Sequence, residues 1–229
     1  MRYVRLNITT EGQTEMEFAK NTLAQYLEPF GITLQVRCVM TSKQRHKTYR
    51  GGLLDYGRAK RDIQNWIKQE GVQTDVYFTT MFDLYALPND FPAYEASLKI
   101  QEPYERVTFL EQALYTDIAY PRFLPYLQLH EFEALLLANP PLLLLEYPEA
   151  TEAVAQLENI VAQYQNNPEL VNTGRESAPS KQIIKLIPAY QGNKVTVGAT
   201  LAGIEGVGSL KEKCRHFGEW IGGLEGLNG

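Results

Sequence analysis

The sequence predicts an α/β fold: a mostly parallel central sheet flanked by helices, with a helical elaboration at the C-terminal end. Three observations predict it. Short β-rich apolar segments alternate with amphipathic segments of about 15 residues, the length a parallel crossover needs. The chain has 229 residues, enough for one such domain with a full core. Its apolar content of 44% and charged content of 21% are ordinary for a soluble globular protein. Residues 1–140 read as the α/β core and residues 141–229 as helices packed on it, together one compact unit.

The elements follow in order. Tyr3 to Thr9 alternates and is β-rich, a strand. Thr14 to Phe30 carries Met16, Phe18, Leu23, Tyr26 and Leu27 at roughly helical spacing, and Gly31 stops that helix. Ile32 to Met40 reads as a second strand. Leu53 to Glu70 reads as a helix with Leu54, Ile63, Trp66 and Ile67 as its apolar positions. Asp75 to Phe82 is a third strand, running into a Pro-rich loop from Asp83 to Pro92. Helices are predicted over 93–101 and 104–120. A fourth strand, 122–129, contains Pro125, which suggests an edge or a bend. Helices follow over 131–138 and 152–165, then a polar loop over 166–179. Leu210 to Leu224 is the clearest of the last helices.

Composition narrows the function classes. A net charge of −5 argues against a general nucleic-acid binder, whose affinity comes largely from neutralising phosphates. The longest apolar run, Ala134 to Leu145, is broken by Asn139-Pro140-Pro141 and is too short to span a bilayer, so no membrane partner is expected. The first residues carry no long apolar segment of the signal-peptide kind. Cys38 and Cys214 form no CxxC pair, and three histidines are too few for a His/Cys zinc site. A reduced cytoplasm is the expected location.

Three acidic clusters stand where predicted strands end, the place where parallel α/β sheets gather ligands. The first is Glu11-Gly12-Gln13-Thr14-Glu15. Its two glutamates are four apart, Gly12 allows a tight turn, and Thr14 can cap the helix. Paired carboxylates repel unless a positive group lies between them, and a hard cation is the natural one. The plainer alternative is that acids favour any helix start through the macrodipole. The second is Asp83, directly after the third strand. The third is Gln128-Leu129-His130-Glu131-Phe132-Glu133; on a helix only one of Glu131 and Glu133 would face the site. Together these groups are suited to one or two Mg2+ or Mn2+ ions for phosphodiester chemistry.

Two further patterns fit an anionic partner. Lys43, Arg45, Lys47, Arg50, Arg58, Lys60 and Arg61 face a single Asp55, with Tyr49 and Tyr56 interleaved, a stretch suited to a phosphate backbone or simply solvated. Ser180-Lys181, followed by Tyr190 and Lys194, either meets a phosphate or starts a helix. Cys214 and His216, two apart on one helix, read as packing and surface.

The strand-Glu-Gly-x-Thr-Glu-helix opening resembles the first motif of Toprim domains, found in topoisomerases, primases and the overcoming-lysogenization-defect nucleases. The ordered set EGQTE, FDLYALPNDFP, QLHEFEALL, APSK and CRHFGEW resembles, more specifically, domain-of-unknown-function family 4276, an uncharacterised bacterial Toprim-like family of about this length. The resemblance implies a Toprim-like sheet and a Mg2+-dependent site. Glu11 matches the first Toprim glutamate, Glu15 the second glutamate of the nuclease branch, and Asp83 the first aspartate of the Asp-x-Asp motif. The second aspartate is replaced by Tyr85, a poor Mg2+ ligand, so Asp90, Glu131 or Glu133 must supply the missing carboxylate or the site binds metal weakly. Related families act in anti-phage defence beside an SMC- or ABC-like ATPase. No P-loop motif is present here, so any ATPase is a separate partner.

The sequence therefore points to a metal-dependent nuclease subunit acting on DNA or RNA. Glu11, Asp83 and Glu131 are its candidate catalytic groups. Glu11, Glu15, Asp83 and Glu133 are its candidate metal ligands, and Lys43, Arg45, Lys47, Arg50, Arg58 and Lys181 its candidate nucleic-acid contacts. The alternative is a non-catalytic Toprim-like module that partners an ATPase.

Overall fold

Strand β1, Val4–Thr10, is buried along nearly its whole length, as a central strand of a parallel sheet covered on both faces must be. In the computed structural model, which describes residues 3–39, 53, 55–171 and 177–229, β1 pairs in parallel with β2 (Ile32–Cys38) on one side and β3 (Val76–Asp83) on the other. Beyond β3 lie two short strands, β4 (Phe123–Leu124) and β5 (Leu127–Gln128), each parallel to it. The order is β2-β1-β3-β4, with β5 continuing alongside the end of β3.

The single strand expected over 122–129 is therefore split, and Pro125 is the cause: it has no N–H to give the ladder. The Thr80 hydroxyl bridges the gap. It donates to the Tyr126 carbonyl at 2.9 Å and accepts from the Tyr126 N–H at 3.0 Å.

The first crossover starts with α1 (Gln13–Phe18), passes through one π-helical turn at Ala19–Leu23, and resumes as α2 (Ala24–Leu27). Gly31 ends it at φ 73°, a left-handed position that glycine occupies without steric cost. The second crossover is α3 (Tyr56–Glu70), three residues shorter than expected because Asp55 caps it, accepting from the Arg58 N–H at 3.2 Å. After β3 come α4 (Tyr94–Ser97), much shorter than its expected nine residues, and α5 (Pro103–Ile118).

The helix expected over 131–138 does not form. Two 3-10 turns stand there instead, at Phe132–Ala134 and Leu136–Ala138, followed by a third at Pro140–Leu145, where Pro140 and Pro141 have no N–H to continue a helical ladder. The C-terminal region is helical throughout: α6 (Thr151–Gln163), α7 (Pro179–Leu186), α8 (Tyr190–Glu205), α9 (Val207–Lys213) and α10 (Arg215–Glu225). The single helix expected over 210–224 breaks at Cys214. The buried carboxylate of Glu169 draws the break there: it accepts from the N–H groups of His216 and Phe217, each at 2.9 Å, and so caps α10 from a distant loop.

Each sheet face has its own core. Val4, Leu6 and Ile8 of β1 pack with Phe18 and Leu23 and with Leu201, Phe217 and Leu224 from the C-terminal helices. Val76, Phe78 and Phe82 of β3 pack with Ile63 and Trp66 of α3 and with Leu110 and Leu114 of α5. No helix among the described residues is long and apolar enough to cross a membrane.

Candidate functional site

Because every strand pairing is parallel, the carboxyl ends of β1, β3 and β5 lie along one edge. That edge receives Glu11 from β1, Asp83 from β3, and the turn His130–Glu133 just past β5. Glu11 extends the β1–β3 ladder by one step, its N–H donating to the Met81 carbonyl at 3.2 Å. Its carboxylate then accepts the backbone N–H of Asp83 at 3.0 Å. The two acids that the sequence singled out from separate strand ends are thus in direct contact.

Asp83 keeps some exposed surface, yet its Oδ1 is buried and has no hydrogen-bond partner among the described residues. Burial raises its pKa well above the usual carboxylate range, and the charges of Glu11, Glu15, Glu133 and Glu131 raise it further. All four candidate glutamates therefore act on this one aspartate.

Glu15 is buried on the first turn of α1 and reaches back to accept from the Gly12 N–H at 2.9 Å, the return half of a capping box. Gly12 itself is extended, at φ −136° and ψ −172°, so its role is space: a Cβ there would sit 3.0 Å from the Glu15 carboxylate. Thr14, expected as the cap, lies inside the helix; Gly12 and Glu15 take over that task. Burial, reinforced by the nearby Glu133 charge, pushes the Glu15 pKa up to about 7.

The third cluster departs from its expected form. His130 turns the chain at φ 66°, and Glu131 is extended rather than helical. The helical rule that would separate Glu131 from Glu133 does not apply, and both act on Asp83. Glu131 accepts from the Ser180 N–H at 3.0 Å, on the first turn of α7. Glu133 is buried and meets α8 instead: its Oε1 accepts from the Tyr190 hydroxyl at 3.3 Å and pairs with Lys194 Nζ at 3.1 Å. Burial raises the Glu133 pKa, against the pull of Lys194.

Tyr85 occupies the position where a second aspartate was sought. Its N–H donates to the His130 carbonyl at 3.1 Å, and its ring lies 5.1 Å from the His130 ring. Burial and then Glu131 push the phenol up to about 12, so it adds no negative charge. His130 is held down at about 4 by burial and by Arg106, and is neutral at neutral pH. Asp90 does not supply the missing carboxylate: it turns to the start of α3, where it accepts from the Tyr56 N–H at 3.3 Å.

Of the basic candidates, Lys43, Arg45, Lys47 and Arg50 lie outside the described residues. Arg58 is engaged on the first turn of α3, 3.3 Å from Asp55, and Lys181 is exposed on the first turn of α7. Lys194 joins the acidic edge because α8 packs closely on α1. Gly198 permits that approach: a Cβ there would lie 3.1 Å from Thr14 Cγ2 and 3.2 Å from the Tyr190 hydroxyl. Arg106 was not singled out from the sequence; a lone arginine on α5 carries no local signal of its proximity to His130.

Among the described residues no three His, Cys, Asp or Glu side chains converge as a preformed metal cage. Each of the four glutamates has its own partner: Glu11 the Asp83 N–H, Glu15 the Gly12 N–H, Glu131 the Ser180 N–H and Glu133 the Lys194 ammonium. The donor chemistry nevertheless fits a hard cation, with hard oxygen donors only and one buried carboxylate oxygen, Asp83 Oδ1, left without a hydrogen.

Fold and site together define an α/β protein with an acidic edge built from the carboxyl ends of a parallel sheet. The family model described as Domain of unknown function (DUF4276) matches residues 10–225, and the chain belongs to that family. No curated protein and no solved structure matches the chain.

Proposed function

We propose that this chain is a Toprim-type, metal-dependent nuclease subunit that cleaves phosphodiester bonds with Mg2+ or Mn2+ held at Glu11 and Asp83. The observation that carries the reading is the contact between these two acids, with Asp83 Oδ1 buried beside them and lacking a hydrogen-bond donor. Glu15 is the next available carboxylate, on the turn between them and α8. A bound cation would polarise the scissile phosphate and lower the pKa of a water. The protein's own part is positioning: Gly12 and Glu15 fix the turn that carries Glu11, and the β1–β3 ladder fixes Glu11 against Asp83. Lys43, Arg45, Lys47 and Arg50 would hold the nucleic-acid strand, and an SMC- or ABC-like ATPase would be a separate partner.

The test is cleavage of DNA and RNA, single- and double-stranded, with Mg2+ and with Mn2+, by the wild type and by Glu11→Gln. Metal-dependent cleavage that Glu11→Gln abolishes supports the reading. Absence of cleavage of every substrate, alone or with an ATPase partner, sinks it. A second reading, a non-catalytic module that partners an ATPase, is favoured by Tyr85 in place of a second aspartate and by the net charge of −5. Calorimetry with Mg2+ and Mn2+ separates the two, since the module requires no metal.

A further inference from the structure

We propose that Lys194 stands in place of a second metal ion, so that the acidic edge takes one divalent cation, at Glu11 and Asp83, and Glu133 is not a metal ligand. The inference rests on the metal reading above and adds the number of ions and the role of α8.

The acidic edge is asymmetric. At one end Glu133 is buried, and its Oε1 already receives both the Lys194 ammonium at 3.1 Å and the Tyr190 hydroxyl at 3.3 Å. A buried carboxylate supplied with a cation and a hydroxyl donor has its charge compensated. At the other end Asp83 Oδ1 is buried with no donor among the described residues. Two-metal sites hold their ions about 3.5–4 Å apart, and each ion needs its own share of carboxylates. Here the buried carboxylate that a second ion would draw on, Glu133, is already neutralised by the Lys194 ammonium. A second ion would also have to sit beside the ammonium of Lys194, against like-charge repulsion.

The position of Lys194 is set by packing. Gly198, one turn further along α8, brings that helix against Thr14 of α1 with no Cβ between them. The lysine is half-buried, its ammonium turned inward onto Glu133. Tyr85 is consistent with the same count. Where two ions would call for another carboxylate, the chain has a tyrosine.

Mn2+ titration tests this directly, read by calorimetry and by the electron paramagnetic resonance signal of free Mn2+. The wild type is expected to bind one ion. Lys194→Met is expected to bind a second ion or to hold the first at least tenfold more tightly, and Lys194→Gln serves if the methionine variant does not fold. Glu133→Gln is expected to keep one ion. Two ions on the wild type, unchanged stoichiometry and affinity in the Lys194 variants, or loss of binding in Glu133→Gln overturns the inference while leaving the metal reading in place. No Mn2+ binding by the wild type overturns both.

Discussion

The backbone N–H of Asp83 donates to the side chain of Glu11 at 3.0 Å, joining residues 72 positions apart. The contact links the ends of β1 and β3 through a carboxylate rather than through the ladder. Glu11→Gln retains an oxygen that can accept this hydrogen bond and removes only the charge. Stability is expected to change by no more than about 1 kcal/mol, within the range of ordinary substitutions, while Mn2+ affinity and cleavage fall at least about a hundredfold, beyond what loss of a supporting group alone costs. Thermal melting and metal titration on one preparation check both halves.

Glu169 gives a purely structural prediction. Its buried carboxylate accepts from the His216 and Phe217 N–H groups and from the Tyr104 hydroxyl at 3.1 Å. Glu169→Ala strands two backbone donors at the start of α10 and the Tyr104 hydroxyl of α5, and a cost of about 2–4 kcal/mol is expected from unsatisfied buried donors. Urea denaturation measures it; a loss under about 1 kcal/mol would mean that water replaces the carboxylate.

His216 makes stability depend on pH. Burial pushes its pKa down, but Glu111, 2.9 Å away, outweighs burial and the net shift is upward. A histidine with a raised folded pKa contributes stability that is fully present below its unfolded pKa, near 6.5, and that is lost as pH rises through the folded value. The stability difference between wild type and His216→Gln should therefore be greatest below about pH 6.5 and shrink at more alkaline pH. A constant difference across that range would contradict the pairing.

Gly198 tests the approach of α8 to α1. A Cβ would already press on Thr14 and the Tyr190 hydroxyl at 3.1 and 3.2 Å, and the γ-carbons of valine would reach further. Gly198→Val is expected to cost about 2 kcal/mol through overpacking and to weaken the Lys194–Glu133 pair. Chemical denaturation reads the first effect. The second would be seen as a change in Mn2+ affinity in the same direction as for Lys194→Met.

Much of this was legible in the sequence. Strand ends are marked by the passage from β-branched runs to acids and glycine, so Glu11 and Asp83 could be placed at one edge once parallel pairing was inferred. Glu131 and Glu133 were found, but their geometry was not. The residues over 131–138 look helical locally but fold as 3-10 turns after the left-handed His130 and the extended Glu131. Lys194 stood out only as a possible phosphate contact, since its pairing with Glu133 depends on where α8 packs. The break at Cys214 was invisible because its cause, Glu169, lies 45 positions earlier in a different segment. Local pattern locates strand ends; it does not show which distant side chain will occupy a helix start.

The π-helical turn at Ala19–Leu23 sets a phase between two halves of one helix. Such a turn is an ordinary helix with one residue inserted, and one residue is about 100° of rotation about the axis. The half before it presents Glu15 to the acidic edge while Phe18 goes inward; the half after it sends Leu27 inward. Deleting a single residue from this turn would restore a regular ladder and force the two faces out of step. Either the carboxylate would leave the edge or the leucine would leave the core. The extra residue lets one segment serve the site and the core at once.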